Sequence, residues 1–358
     1  MGQSTVKVLL ADDSAVTRML LQHLLNSEPG IQVIGVVTDG QEALDFLMNG
    51  THRPDVVLMD IHMPRLDGFE ATRRIMETRP LPIVICTATA DPKEVAVVFR
   101  SMEAGAVACV EKPVSPEHPD FAASARNLLE TIRLMSEVKV VRRWPKPRAV
   151  GTPPPPLVTD TSLKIVGIGA STGGPPVLQT ILSGLPKDFP APVLIVQHIA
   201  RGFVPGLIEW LNQTTGLHVH IAAHGSAALP GHAYIAPDDF HLGVAAGGRL
   251  NLSRVEPENG LRPAVSYLFR SLAEVCGPAA IGVILTGMGK DGAQELKQMR
   301  DRGSWTIAQD RATSVVHGMP GEAIQLGAAI EVLPADRIAQ SLITQTKPRV
   351  LAAGEGES

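Results

Sequence analysis

Short apolar runs alternate with longer amphipathic segments along the first third of the chain. Continuous apolar runs of this kind are typical of buried strands, and apolar side chains at helical spacing, as in residues 16–24, predict the helices between them. The predicted strands cover residues 6–10, 33–37, 56–59, 82–86 and 106–110. Because strands and helices alternate, this part of the chain predicts a doubly wound parallel sheet.

The second half of the chain repeats the pattern, and each predicted strand runs into a polar or glycine-rich loop. These strands cover residues 165–168, 192–196 and 279–285. Between the halves, residues 144–156 contain six prolines, which favour an extended, semi-rigid linker. The predicted fold class is α/β, with two doubly wound parallel-sheet domains, the second of them Rossmann-like. The predicted boundaries are 1–135 for the first domain, 136–162 for the linker, 163–346 for the second domain and 347–358 for a tail.

Composition and charge exclude several classes of protein. The formal net charge of −4 argues against a general nucleic-acid binder, which normally carries a basic surface. No apolar run approaches the roughly 18 residues of a membrane helix, and no signal peptide opens the chain, so we expect a cytoplasmic protein without membrane insertion. The three cysteines show no metal or redox spacing and are expected to be reduced. We expect a monomer.

Polar side chains follow the predicted strands of the first domain. Asp12 and Asp13 follow the first strand and Asp60 the third, while Thr87 and Lys112 follow the fourth and fifth. The carboxyl ends of parallel strands share one edge, so these groups are expected to converge. Crowded carboxylates repel one another unless a hard divalent cation lies among them. The set therefore predicts an aspartate that accepts a phosphoryl group, with Mg²⁺ and the lysine offsetting phosphate charge.

With these residues in place, the first domain resembles the receiver domain of two-component response regulators. The resemblance implies that Asp60 accepts the phosphoryl group from a histidine kinase. The Mg²⁺ ligands it implies are Asp12, Asp13 and Asp60, and the implied switch residues are Thr87 and Lys112. Cys109 departs from the pattern, because many receivers carry a tyrosine or phenylalanine at this position.

A glycine-rich turn follows the first strand of the second domain. Ser171 lies in this turn at the carboxyl end of the strand, and residues 169–173 match the G-x-S-x-G nucleophile elbow. A dinucleotide fingerprint would need glycine where the chain has Thr172, so that interpretation is weak. An ordinary glycine-rich strand-to-helix loop stays open as the third interpretation of this stretch taken alone.

Two further strand ends supply partners for the serine. His198 follows the strand at 192–196, and Asp291 lies in a glycine-rich loop after the strand at 279–285. A serine hydroxyl needs a base to take its proton, and the base needs a carboxylate to fix its tautomer. The chain order Ser, His, Asp differs from the Ser, acid, His order of the α/β hydrolases, so a standard hydrolase fold is not expected.

The remaining histidines permit other interpretations. His218 and His220 share one face of a strand, and together with His224 they suggest a metal site. No fourth ligand stands at suitable spacing, so an ordinary polar strand face is favoured. His241 and His317 lie beside predicted loops and could line a cleft, but neither belongs to the predicted catalytic set.

The second domain resembles the chemotaxis protein-glutamate methylesterases of the CheB family. The matching motifs are IGASTGG (168–174), the strand end with Gln197 and His198, YIAP (234–237), RPAV (262–265), LTGMGKDG (285–292), ATSVV (312–316) and GMP (318–320). The resemblance implies that Ser171 is the nucleophile, His198 the base and Asp291 its orienting acid. It also implies that Thr172 and Met288 shape the oxyanion site. Gly321 departs from the pattern, because family members usually have arginine there.

The implied function is a phosphorylation-activated serine esterase of chemotaxis adaptation. It hydrolyses glutamate methyl esters on chemoreceptors, releases methanol, and deamidates receptor glutamines. The receiver needs Mg²⁺, whereas the esterase chemistry needs no cofactor. The alternative is a non-catalytic protein-binding regulator controlled by the receiver. A DNA-binding output is not favoured, because no helix-turn-helix pattern or basic patch follows residue 163.

Overall fold

The structure is a computed structural model that describes residues 5–49, 53–88, 92–138, 140 and 164–347. Most of the predicted linker at 136–162 and nearly all of the predicted tail at 347–358 lie outside the described residues. The last element of the first half ends at Ser136 and the first of the second half begins at Ile165. The predicted domain boundaries themselves stay predictions.

The first half forms a five-stranded parallel sheet in the order β2-β1-β3-β4-β5. Its strands are β1 (Val6–Ala11), β2 (Ile31–Val37), β3 (Val56–Met59), β4 (Ile83–Thr87) and β5 (Ala108–Glu111). Its helices are α1 (Ala15–Ser27), α2 (Gly40–Met48), α3 (Gly68–Thr78), α4 (Pro92–Ala104) and α5 (Phe121–Ser136). The register pairs Ala11 with Met59. Asp12 and Asp60, each one residue further on, therefore leave the sheet side by side.

Acidic and hydroxyl side chains start the early helices of this half. Ser14 accepts a hydrogen bond from the Thr17 amide at the start of α1, and Asp67 accepts one from the Glu70 amide at the start of α3. Such caps satisfy amide groups that have no partner inside the helix. They fix where the loops after β1 and β3 end, and those loops carry Asp12 and Asp60.

The second half forms a seven-stranded parallel sheet in the order β14-β13-β12-β6-β7-β9-β8. Its strands are β6 (Ile165–Ala170), β7 (Val193–Gln197), β8 (His218–Ile221), β9 (His232–Ile235), β12 (Ala280–Ile284), β13 (Trp305–Gln309) and β14 (Glu331–Leu333). Its helices are α6 (Gly174–Gly184), α7 (Val204–Thr214), α8 (Val265–Val275), α9 (Ala293–Asp301), α10 (Met319–Gln325) and α11 (Ala335–Thr346). The predicted fold class, two parallel-sheet α/β domains, is confirmed.

A short antiparallel hairpin interrupts the parallel pattern. It consists of β10 (His241–Ala245) and β11 (Arg249–Ser253), which pair in a sheet of their own. Its short strands were not predicted from the sequence. The hairpin contacts α8, and Val244 donates its amide hydrogen to Ser271 Oγ of that helix at 3.1 Å.

The glycines of β6 allow α8 to lie directly on the central strand. A Cβ atom on Gly167 would stand 2.3 Å from Leu272 Cδ1, and one on Gly169 would stand 2.2 Å from Val265 Cγ1. Every residue of β6 is buried. Each fully buried valine or isoleucine of this layer contributes about 1.5–3 kcal/mol. Glycine at these two positions therefore has a packing role and gives no support to a dinucleotide site.

The two halves touch through helices and one loop. Helix α4 packs against α6 and α7, and the fully buried Phe99 ring stacks on Trp210 with centroids 5.5 Å apart. Val315 and Val316 of the second half pack against the apolar cluster of the first half that includes Ile132. Within the described ranges, no helix has the length and apolar character required to cross a membrane.

Candidate active site and phosphorylation site

Hydrogen bonds hold the turn that carries Ser171 in one conformation. The Ser171 amide donates to the Thr286 carbonyl at 3.0 Å. Its own carbonyl accepts from the Gly174 amide and from Gln197 Nε2, both at 2.8 Å. Gly173 has a φ of 77°, which favours glycine because it carries no Cβ. The half-buried serine thus stands at the carboxyl end of β6, on a turn tied to both neighbouring strands.

Two neighbouring loops approach this turn closely. A Cβ atom on Gly287 would lie 2.7 Å from Ser171 Cβ, and one on Gly173 would lie 2.6 Å from Val315 Cβ. Glycine is therefore required where these backbones meet. The loop after β12 covers one flank of the serine, and the loop after β13 touches the start of α6.

The strand order brings the three predicted catalytic residues to adjacent strand ends. β6 lies between β12 and β7, so Ser171 has the Asp291 loop on one side and His198 on the other. His198 Nε2 lies 2.9 Å from Asp291 Oδ2. The distance is that of a hydrogen bond, although the direction of the N–H falls short of good hydrogen-bond geometry. Asp291 is only 4% exposed, so this contact is largely screened from water.

Asp291 also caps the start of α8. Its Oδ2 accepts from the Val265 amide at 2.6 Å, and its Oδ1 accepts from the Ser266 amide at 3.1 Å and from Ser266 Oγ at 2.6 Å. Burial alone raises the pKa of Asp291. The His198 contact and the donors from Ser266 and Val265 outweigh burial and leave the pKa below its usual value. Asp291 is therefore held ionised and fixed by a helix terminus.

Ser266 and His241 extend this network, and neither contribution was predicted from the sequence. Ser266 Oγ accepts from the Gly292 amide at 3.0 Å while it donates to Asp291. His241 Nδ1 accepts from the Ala264 amide at 3.2 Å, and its ring stacks on Tyr267. His241 is fully buried, so its ring does not line an open cleft. The signal available in the sequence was the RPAV stretch directly before Ser266.

Thr172 and Met288 lie in the two loops beside the serine. The Thr172 carbonyl accepts from Thr286 Oγ1 at 3.0 Å, which ties the β6 turn to the end of β12. Met288 is 43% exposed. Both residues are near the serine in the fold, and their suggested part in the oxyanion site stays a prediction.

The acidic groups of the first half converge as predicted from the strand order. Ligand oxygens of Asp12, Asp13 and Asp60 all lie within 4.8 Å of one another. Lys112 Nζ lies 2.7 Å from Asp12 Oδ2 and 2.8 Å from Asp60 Oδ2, and it donates a hydrogen bond to the latter. Thr87, 2% exposed, is joined to this edge by its carbonyl, which accepts from the Lys112 amide.

Burial and neighbouring charges of opposite sign shift the pKa values of the acidic pocket in opposite directions. It raises the pKa of Asp60, and the neighbouring Asp12 charge adds to the rise, against the opposing effect of Lys112. Burial lowers the pKa of the Lys112 ammonium, but the two carboxylates outweigh it and leave the pKa raised. A cationic ligand would relieve the crowding of Asp12 and Asp60.

Comparisons with known proteins agree with this architecture. Residues 166–342 match the family model of the CheB methylesterase, and residues 8–122 match that of the response regulator receiver domain. A protein-glutamate methylesterase/protein-glutamine glutaminase of Geobacter metallireducens is 54% identical over 341 residues, which cover 94% of this chain and 98% of that protein. One of Nitrosospira multiformis is 51% identical over 342 residues, covering 94% and 96%. The chain belongs to the CheB methylesterase family.

A solved structure supports the same assignment for the second half of this CheB-family chain. The CheB methylesterase catalytic domain of Thermotoga maritima is 45% identical, with a TM-score of 0.50, and the match covers 51% of this chain and 99% of that domain. The family expected from the sequence is therefore confirmed. The alternative of a non-catalytic regulator finds no support in these comparisons.

The two departures from family pattern have different surroundings. Cys109 is half-buried on β5, and burial raises the pKa of its thiol, so it behaves as an apolar side chain.

Gly321 lies in α10 beside the half-buried His317, where a Cβ would stand 3.1 Å from His317 Cδ2. Burial, followed by the charge of Arg311, lowers the pKa of His317. Its Nδ1 lies 3.3 Å from Ser314 Oγ, in the loop that contacts the serine turn.

Proposed function

We propose that this CheB-family chain is a serine esterase that hydrolyses glutamate methyl esters on chemoreceptors. The observation that carries the proposal is the buried contact between His198 and Asp291, on strand ends that flank Ser171. A nucleophile, a base and an orienting carboxylate are the parts that acyl transfer through serine requires. The names of the relatives support the same substrate class.

In the proposed mechanism, the Ser171 oxygen attacks the ester carbonyl while its proton passes to His198. Because Nε2 faces Asp291, the ring nitrogen left to take this proton is Nδ1. Asp291 stabilises the resulting imidazolium. The C–O bond then breaks, methanol leaves with the proton, and an acyl-serine remains. Water attacks the acyl-serine with His198 again as base, which releases the glutamate carboxylate and restores the serine.

The tetrahedral intermediates carry an oxyanion that needs hydrogen-bond donors in place beforehand. Backbone amides of the two glycine-rich loops beside Ser171, where Thr172 and Met288 lie, are the donors that the proposal assigns. The same route acts on a glutamine side chain, with ammonia as the leaving group in place of methanol. Receptor glutamine deamidation therefore belongs to the proposal. No cofactor takes part in either reaction.

In the receiver, we infer that Asp60 accepts a phosphoryl group from a histidine kinase. The pocket fits Mg²⁺, because two buried acids and one exposed acid converge there and carboxylate oxygens are the ligands that this ion prefers. Asp12, Asp13 and Asp60 would hold the ion, which offsets phosphate charge when it is bound. Lys112 stands where it can bind a phosphate oxygen, and Thr87 lies at the same sheet edge for a hydroxyl contact.

Control by the receiver is the remaining part of the proposal. Helix α4 packs on α6 and α7 through Phe99 and Trp210, and the loop with Val315 touches both the receiver and the start of α6. Contacts between domains in one chain are commonly modest, so a shift of a few kcal/mol on phosphorylation suffices to change them. We infer that the unphosphorylated receiver blocks access to Ser171 and that phosphorylation exposes it, so the phosphorylated form is the faster enzyme. We propose that the protein is a cytoplasmic monomer that acts on chemoreceptors.

The test is methanol release from methylated receptor membranes by the full chain, with and without Mg²⁺ and a small phosphodonor. We expect release from wild type, stimulation by the phosphodonor, and none from Ser171→Ala. A fluorophosphonate should label Ser171 in wild type alone. Binding of receptor membranes without methanol release, together with no labelling, would show a binding module and overturn the proposed chemistry.

A further inference from the structure

Three histidines from neighbouring strands meet at the edge of the second sheet. His218 and His220 stand two residues apart on β8, the last strand in the sheet order, and both are exposed. His232 opens β9 and pairs in register with His218. The His232 ring centroid lies 5.2 Å from that of His218 and 5.1 Å from that of His220. His232 comes from a separate strand, so the sequence did not reveal it as the third member.

The closest contact in this cluster joins two ring nitrogens. His220 Nε2 and His232 Nδ1 lie 2.8 Å apart. Two imidazole nitrogens that bind one ion at about 2.0–2.1 Å and at a right angle are themselves about 2.9 Å apart. The contact is a hydrogen bond between the two rings, and an ion would take the place of the hydrogen that one nitrogen donates, with the nitrogens already at the separation of adjacent ligands.

One further ring adjoins the cluster. The Tyr234 ring lies 5.7 Å from the His220 ring, and its hydroxyl is occupied by the Leu229 amide, which leaves the imidazoles as the ligands. Imidazole favours Ni²⁺, Cu²⁺ and Zn²⁺ over Mg²⁺ or Ca²⁺.

We propose that His218, His220 and His232 form a surface site for a divalent transition-metal ion. His220 and His232 are the primary pair. Among the described residues, three ligand atoms lie within 4.8 Å of one another in the acidic pocket but not in the histidine cluster. His218 therefore becomes the third ligand only after its side chain rotates. His224 is excluded, because its Nδ1 accepts a hydrogen bond from the Leu252 amide.

The position of the site predicts what the ion does. An ion held by β8 and β9 links the edge strand to its neighbour, so it stabilises this end of the sheet. His218 and His232 stand at the amino ends of their strands, whereas Ser171 follows the carboxyl end of β6. The two sites are also separated across the sheet, because β7 lies between β6 and β9. Metal binding at the cluster should therefore leave the esterase rate unchanged.

Calorimetric titration of the tag-free full chain with Ni²⁺ tests the site. Excess Mg²⁺ is present throughout, because this hard ion prefers the oxygen ligands of the acidic pocket. We expect one Ni²⁺ per wild-type chain. His220→Gln and His232→Gln should each weaken binding at least tenfold, and His218→Gln should weaken it less. His23→Gln, which removes an exposed histidine of α1, is the matched control and should bind as wild type does.

Two further readouts separate this site from other causes. Ni²⁺ should raise the unfolding temperature of wild type but not of the His220→Gln/His232→Gln double variant, and bound Cu²⁺ should show nitrogen hyperfine coupling in its electron paramagnetic resonance spectrum. Circular dichroism establishes that the variants fold. Equal binding by wild type and the double variant, or loss of binding in Asp60→Asn, would overturn the proposal. Binding is measured without substrate, so the result does not depend on the proposed esterase activity.

Discussion

Ser266→Ala tests whether the start of α8 helps to set the catalytic acid. Ser266 is 4% exposed, donates to Asp291 Oδ1 at 2.6 Å and accepts from the Gly292 amide at 3.0 Å. A hydrogen bond to a charged group is worth about 1.5–3 kcal/mol. If the whole of this loss is added to the activation free energy, kcat falls roughly 10- to 100-fold, since about 1.4 kcal/mol corresponds to a factor of ten. KM should change little, because Ser266 is expected to act through Asp291.

The same substitution should also lower stability. It leaves the buried Gly292 amide without its acceptor, which costs about 1–3 kcal/mol in the free energy of unfolding. Ser271→Ala is the matched control, because Ser271 lies on the same helix and its Oγ donates to the Leu268 carbonyl and accepts from the Val244 amide. We expect the control to lose about 1 kcal/mol of stability and to keep its kcat.

The pH dependence of unfolding gives a second readout. The folded-state pKa of Asp291 is lowered, so its ionised form contributes stability that is present above its unfolded pKa of about 3.9 and is lost as the pH falls through the folded pKa. Removal of the Ser266 donor moves the folded pKa upward, so acid unfolding should begin at a higher pH. Initial rates of methanol release and urea unfolding measure both effects. A kcat for Ser266→Ala equal to that of wild type and of Ser271→Ala would refute the reasoning.

Three other predictions concern the catalytic set and its control. Ser171→Ala and His198→Ala should each keep the urea midpoint of wild type and lose nearly all methanol release; turnover by Ser171→Ala would contradict its role as nucleophile. Asp60→Ala should keep the basal rate and lose the response to a phosphodonor, and a remaining response would place the phosphorylation elsewhere. Phe99→Ala removes the ring stacked on Trp210, so it should raise the unphosphorylated rate and lower the unfolding free energy by about 3–5 kcal/mol. An unchanged unphosphorylated rate would count against control through this contact.

Most of the site residues that the sequence predicts lie at the ends of predicted strands. The apolar runs marked the central strands to within a residue or two, and a parallel sheet brings the carboxyl ends of adjacent strands to one edge. That rule was sufficient to group Asp12 with Asp60, and Ser171 with His198. Side-chain contacts between elements distant in sequence were not predictable in this way.

The missed features depend on such distant contacts. The link between Ser266 and Asp291 joins residues 25 positions apart, and Ser266 lies on α8, which packs closely on the glycines of β6. The hairpin of β10 and β11 has short strands, whose periodicity is weak. His241 looked like a loop residue because nothing local shows that its ring is buried against Tyr267.

The loop after β13 joins the regulatory contact to the catalytic turn. Val315 packs against the receiver cluster and also lies against Gly173, at the start of α6. The Val316 carbonyl accepts a hydrogen bond from the Gly287 amide, and Gly287 lies directly against Ser171. The receiver therefore touches a segment that supports the serine from two sides. Because close-packed segments of this kind move together, a change in the receiver contact can alter the position of the serine turn as well as access to it.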